Sequence, residues 1–224
     1  LKGNFATTST YVFTLDATVP TAPVLTVSEF VPYGSTKVFL RGGMNGWGES
    51  DPFAYNGSGQ YSVQLNLAVG NYEFKVASSD WSTVNLGAGA AGNQVVVGTP
   101  LVIQTSNDNL RIDIAKSSTY VFTLNANDAA APTLTVTEYV PYGPTTIFLR
   151  GGMNGWGEAD AFSYVGANKY SVDINITAGN YEFKVASADW STVDFGAKAG
   201  EQDVIFGTAQ TLARSGANLR GNFS

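Results

Sequence analysis

Neither cysteine nor histidine occurs among the 224 residues. Their absence excludes disulfides, thiolate and imidazole metal ligands, thiol nucleophiles and the commonest general base, and no metal or cofactor is expected. Charge is scarce as well. Only 13% of residues are Asp, Glu, Lys or Arg, and 12 basic against 18 acidic side chains leave a net charge of −6. That sign is wrong for nucleic acid or an anionic membrane surface, so neither is an expected partner. No apolar run approaches the roughly 20 residues that a membrane-spanning helix needs, and no window carries a convincing helical stripe. Aromatic residues, by contrast, make up 12% of the chain and glycine occurs 25 times, a balance that suits sheet faces and tight turns. The chain opens on Leu1 without an initiator Met or a signal peptide, and is expected to be a piece of a longer protein.

The strongest feature is a repeat. Val38–Gly48 reads VFLRGGMNGWG and Ile147–Gly157 reads IFLRGGMNGWG, an offset of 109 positions. The offset runs without a gap from Leu1/Leu110 to Leu110/Leu219, and more than half of the positions are identical. A period of this length is a whole small domain. The chain begins on LKGNF and ends on LRGNFS, the same part of the period, so it starts and stops inside a module. Its linker-like stretches, Asp16–Pro23 and Asn125–Pro132, replace alternating apolar residues with Ala, Pro, Asn and Thr. The expected organisation is therefore residues 1–23 as the terminal hairpin of a preceding repeat plus linker, one module over 24–125 and a second over 133–224. On this register the second module lacks a counterpart of Thr119–Leu124, while Thr10–Leu15 has the sequence to fill that place. An open edge and a matching strand invite exchange between copies.

Within each module the period is that of strands. Tyr61, Val63, Leu65 and Leu67 alternate with polar residues, as do Tyr72, Phe74 and Val76, and Gly70-Asn71 between them reads as a hairpin turn. Leu25–Val31, Thr36–Arg41, Gln94–Val97, Leu101–Gln104, Asn109–Ile114 and Thr119–Leu124 are further predicted strands. The expected fold is all-β, two tandem immunoglobulin-like β-sandwich modules.

Chemistry concentrates at the tryptophans. Trp47 lies between glycines beyond a strand, Trp81 follows the Tyr72–Val76 strand in SSDWS, and Trp156 and Trp190 repeat them. For each, two readings are open: the buried plug of a sandwich, or an aromatic platform on which the C–H face of a sugar stacks. Asn45, Lys75, Glu73 and Asp80, with Asn154, Lys184, Glu182 and Asp189 in the second copy, offer polar companions for sugar hydroxyls. Strand parity puts Glu73 and Lys75 on one outward face. Arg41 and Arg150 are expected in an ion pair or in loop hydrogen bonds. An enzymatic reading has only the carboxylates Glu49 and Asp51, with Glu158 and Asp160, as glycosidase acid and base. Two residues apart in a polar loop, without a deep cleft to raise one pKa, they are weak candidates, and no enzyme activity is expected.

The order of motifs, a strand followed by FLRGGMNGW, a hairpin with GNYEFKVA and then DW, resembles the starch- and glycogen-binding carbohydrate-binding modules of family 48. The likeness is greatest to tandem non-catalytic modules of secreted bacterial pullulanases and amylases, and it covers each module nearly end to end. The resemblance implies that Trp47 and Trp156 are the first stacking residues and Trp81 and Trp190 the second. It further implies Lys75 and Lys184 as hydrogen-bonding lysines and Asn109 and Asn218 as the amides before the last strand. It implies α-glucan binding that tethers a larger secreted amylolytic enzyme to starch, glycogen or pullulan. The alternatives are a structural immunoglobulin-like spacer whose tryptophans are core, and the same platform serving another polysaccharide.

Overall fold

The computed structural model describes Asn4 and residues 8–224; the expected start of the repeat at Leu1–Phe5 lies for the most part outside the described residues. The chain divides into two compact units, Leu1–Tyr139 and Val140–Ser224, and among the described residues it is all-β apart from two short 3-10 turns.

The first unit contains β1 (Tyr11–Asp16), β2 (Val24–Glu29), β3 (Phe39–Gly42), β4 (Ala54–Gly57), β5 (Gln60–Leu67), β6 (Gly70–Ala77), β7 (Asn85–Gly87), β8 (Gln94–Val95), β9 (Leu101–Val102), β10 (Gln104–Thr105), β11 (Leu110–Ile114), β12 (Ser118–Asn125) and β13 (Thr133–Glu138). One sheet runs β10-β7-β6-β11-β8 with β3 also paired to β6, and the other runs β4-β5-β12-β13-β9. The core lies between them. Alternation along β6, β11 and β12 drives Phe74, Leu110, Ile112, Phe122 and Leu124 inward until each is fully buried. Phe74 meets Phe122 edge to face with ring centroids 5.5 Å apart, worth about 0.5–1.5 kcal/mol beyond the area buried.

Strand β13 is the first strand of the second copy by sequence, yet it pairs along its whole length with β12, from Tyr120↔Glu138 to Asn125↔Thr133. The division by contacts therefore falls at Tyr139/Val140, after this strand, and the division by repeat falls before it. The equivalent pair at the N-terminus, β1 with β2, forms a two-stranded sheet of its own. Its base is tied to the end of β4: Ser58 N–H and the Tyr55 hydroxyl donate to Glu29 Oε1 at 2.8 and 3.0 Å.

The second unit contains β14 (Ile147–Gly151), β15 (Ser163–Gly166), β16 (Lys169–Ser171), β17 (Gly179–Ser187), β18 (Asp194–Ala197), β19 (Leu212–Arg214) and β20 (Leu219–Phe223). One sheet runs β14-β17-β18-β19 with β20 on β17, and β15-β16 stand as a second, two-stranded sheet.

Candidate functional site

The segment RGGMNGWG folds as it does for local reasons. Strand β3 ends at Gly42, where an added Cβ would lie 2.5 Å from the Glu73 carbonyl oxygen, so only glycine lets the chain pass this close to β6. A 3-10 turn, Gly43–Asn45, follows, and Gly46 and Trp47 both take left-handed backbone at φ 61° and 62°. Asn45 holds this turn shut. Its Nδ2 donates to Leu40 O at 2.7 Å and to Asp51 Oδ2 at 2.6 Å, while its Oδ1 accepts from Gly42 N–H at 3.0 Å. Both of its donors are thus used within the loop.

The second loop, SSDWST, is organised by Asp80. Oδ1 accepts from the Ser78 hydroxyl and from the N–H groups of Ser82 and Thr83, both at 3.1 Å, and Oδ2 accepts from the Thr83 hydroxyl at 2.6 Å. The Ser78 hydroxyl first, then the Thr83 hydroxyl and the two N–H groups, hold its carboxyl well below the usual carboxylate range. Trp81 N–H closes on Ser78 O at 3.2 Å, and Trp81 is again left-handed at φ 58°. Non-glycine residues rarely take this conformation, which costs roughly 1–2 kcal/mol each.

Arg41 joins the two loops. It is 8% exposed. Its Nε donates to Trp47 O at 3.0 Å, its Nη1 to Ser78 O at 3.0 Å and Ser79 O at 3.1 Å, and its guanidinium carbon stands 3.9 Å from the Trp81 ring centroid. Glu49 completes the cluster, 3.8 Å from Nη1. So clamped, Trp47 and Trp81 bring their ring centroids to 6.2 Å at an interplanar angle of 42°. Both are half-buried and neither belongs to the core, where the Phe74–Phe122 pair fills the space between the sheets.

The second copy repeats this geometry. Trp156 and Trp190 lie 6.1 Å apart at 41°, at φ 63° and 57°. Arg150 binds Trp156 O, Ser187 O and Ala188 O at 3.0, 3.0 and 3.1 Å and lies 4.2 Å from the Trp190 ring. Asn154 donates to Leu149 O and Asp160 Oδ2, and Asp189 gathers Ser187, Ser191 and Thr192.

The remaining residues singled out by sequence lie on the outward face of the central sheet. Lys75 is the cross-strand neighbour of Arg41. It shares a face with Glu73, as parity requires, but it is only 4% exposed, and its ammonium donates to Ser106 O. Burial lowers its pKa, with Asp108 opposing. In the second copy Asp194 stands where the first has Asn85, and Lys184 pairs with it. Asn109 is half-buried and donates to Glu73 Oε2 at 2.9 Å, and Arg111 Nε reaches Glu73 Oε1 at 3.0 Å. That amide first, and the Arg111 charge second, hold the Glu73 carboxyl down. Asn218, Glu182 and Arg220 repeat the triplet. Beside it runs a groove of about 510 Å³ over Asn71, Tyr72, Gln94 and Arg111, with a counterpart of about 380 Å³ over Asn180, Tyr181, Asp203 and Arg220. The structure thus gathers Trp47, Trp81, Asn45 and Asp80 into one pair of loops, whereas Asn109 is linked to Glu73 and Arg111.

The carboxylates weighed as an acid–base pair are already engaged. Asp51 accepts from Asn45 and Ser50, and Glu49 from the Ser79 hydroxyl. The residue that sequence reasoning undervalued is Arg41. It was expected in loop hydrogen bonds, which are present, but its stacking on Trp81 was not foreseen. A lone Arg closing the otherwise apolar strand VFLR in both copies was the available signal.

No family model matches the chain, and no curated protein matches it. Among solved structures, the chain is similar to AmyP-SBD in a ligand-induced structure, at 15% identity and a TM-score of 0.39, over 47% of this chain and 73% of that one.

Proposed function

We propose that each unit is a non-catalytic carbohydrate-binding module whose ligand is an α-glucan, stacked on Trp47 and Trp81 in the first copy and on Trp156 and Trp190 in the second. One observation carries this reading: two indoles held 6.1–6.2 Å apart and inclined by 41–42°, with the same values in both copies. Inclined platforms suit a chain that curves, as an α-1,4-glucan does, better than the flat ribbon of a β-glucan. The left-handed backbone of all four tryptophans supports it too, since strain kept at four positions by a surrounding hydrogen-bond frame is characteristic of sites that bind. Asn45, Asp80, Asn154 and Asp189 hold the platforms, and Asn109 and Asn218 lie on the sheet face that would meet sugar hydroxyls, whereas Lys75 and Lys184 are engaged by Ser106 O and Asp194. Two linked modules raise avidity by roughly 10²–10⁴-fold where both engage one polymer, which suits tethering a secreted amylolytic enzyme to starch, glycogen or pullulan.

The test is affinity electrophoresis in amylopectin gels, with titration of tryptophan fluorescence by maltoheptaose. The combined Trp47→Ala and Trp156→Ala variant loses retardation and the fluorescence response while its far-ultraviolet circular dichroism is kept. Unchanged retardation would refute the site. A response to cello- or chito-oligosaccharides and none to maltoheptaose would move the ligand to another polysaccharide.

A further inference from the structure

Beyond the paired loops, the outward face of the central sheet carries a polar track. Along β6, Lys75, Glu73 and Asn71 follow one another on this face. Lys75 lies beside Arg41, and Asn71, four residues on, stands roughly 13 Å from it along the strand. Across the ladder Glu73 faces Arg111 and Asn71 faces Asp113 on β11, while Gln94 on β8 stands next to Arg111. Glu73, Asn71, Arg111, Asp113 and Gln94 are all exposed. They line the groove of about 510 Å³. A further groove of about 380 Å³ over Gly92, Asp108 and Asn109 adjoins it at Glu73 and Arg111, so the track runs on from the side of the clamp.

The two copies build this groove from the same chemistry with different residues. In the first, Asn71 Nδ2 donates to Asp113 Oδ1, and Gln94 Nε2 donates to Asp113 Oδ2 at 3.3 Å. At the offset of 109, Gln94 and Asp113 correspond to Asp203 and Asn222, so amide and carboxylate have changed places between neighbouring strands. Either change alone would leave that pair with two carboxylates or with none. Asn180, Glu182 and Arg220 repeat Asn71, Glu73 and Arg111 unchanged, and with Asp203 and Asn222 they line the counterpart groove. Each copy thus keeps two amides, two carboxylates and one guanidinium around the groove.

We infer that this groove is a distal sugar subsite of each unit, which holds a further stretch of the same neutral glucan by its hydroxyls; the inference rests on the α-glucan reading above. Its chemistry suits a polyol. A side-chain amide offers a donor and an acceptor together, and a carboxylate or guanidinium engages two neighbouring groups at once, which matches adjacent hydroxyls on a sugar ring. One guanidinium against two carboxylates does not favour a phosphate or another anion. Exposed polar groups contribute modestly, so the groove does not capture a short sugar by itself. It adds affinity only for a chain long enough to cover platform and groove together.

The test uses the full chain carrying Trp156→Ala, so that the first platform alone reports sugar binding through tryptophan fluorescence. In this background Asn71→Ala with Asp113→Ala is expected to raise the midpoint for maltoheptaose about tenfold. The midpoint for maltose, too short to leave the platform, stays where it was, which also shows that the variant is folded. Gln94→Asp with Asp113→Asn gives the first groove the residues of the second and keeps the maltoheptaose midpoint within about twofold. An unchanged maltoheptaose midpoint in the alanine pair, or an equal loss for maltose, would overturn the groove and leave the platform standing. No response to either sugar before the groove is altered would overturn the platform reading and the groove with it.

Discussion

Replacing Arg41 by Met removes the guanidinium and keeps most of the volume, which isolates its part in the paired loops. Three backbone acceptors lose their donor, but Ser78 O keeps the bond from Trp81 N–H, so Trp47 O and Ser79 O are the ones left unmet. At about 1–1.5 kcal/mol each near the surface, they cost roughly 2–3 kcal/mol. Loss of the guanidinium from the Trp81 ring at 3.9 Å adds about 1 kcal/mol. The ion pair with Glu49 at 3.8 Å, whose carboxylate side chain is 45% exposed, adds at most about 0.5 kcal/mol. The expected total is about 3–4 kcal/mol, a large share of the 5–15 kcal/mol that hold a domain together. Urea unfolding followed by tryptophan emission reads it directly, and Arg150→Met is expected to cost the same because its distances repeat. Arg41→Lys recovers less than half, since a compact ammonium reaches fewer carbonyls and presents no plane to the indole. A loss below about 0.5 kcal/mol in Arg41→Met, or a Lys variant as stable as the parent, would refute the clamp and with it the account of why the tryptophans meet.

Three further outcomes follow from the same geometry. Trp47→Gly is expected to be about 1 kcal/mol more stable than Trp47→Ala in thermal unfolding, because glycine alone relaxes the left-handed backbone, while both bind amylopectin more weakly through the Trp156–Trp190 platform alone. Gly42→Ala is expected to lose roughly 1–3 kcal/mol and disturb the Trp47 loop, since its Cβ would collide with Glu73 O and the Phe74 Cβ at 2.5 Å; a neutral effect on unfolding would show that β3 and β6 can separate freely. Asp80 and Asp189 have folded-state pKa values below the ordinary 3.8, so what their ionised forms contribute is fully present above that value and is lost only as pH falls through the lower one. Tryptophan emission is therefore expected to stay flat from pH 7 to about 4, and a transition centred near pH 5 would contradict the loop hydrogen bonds.

What the sequence determined by itself is what depends on local pattern. Alternation of apolar residues marks β5, β6, β11 and β12 because a strand's side chains alternate between faces whatever lies opposite. The offset of 109 marks two copies, and glycines around Trp47 together with the absence of helical periodicity mark loops outside the alternation. Tertiary structure decided everything that depends on which strands lie side by side. Register between β3 and β6 puts Arg41 within reach of both loops and sets Trp47 and Trp81, 34 positions apart, at 6.2 Å. The same face that parity makes outward for Lys75 is covered by the segment around Ser106, so an expected ligand contact ends on a carbonyl. Glu73 and Asn109 become partners because β6 and β11 are antiparallel neighbours. Likewise, β13 belongs by repeat to the second copy and by hydrogen bonds to the first unit, because a strand is assigned by the edge it satisfies. Position in the chain does not settle that, and pairing does.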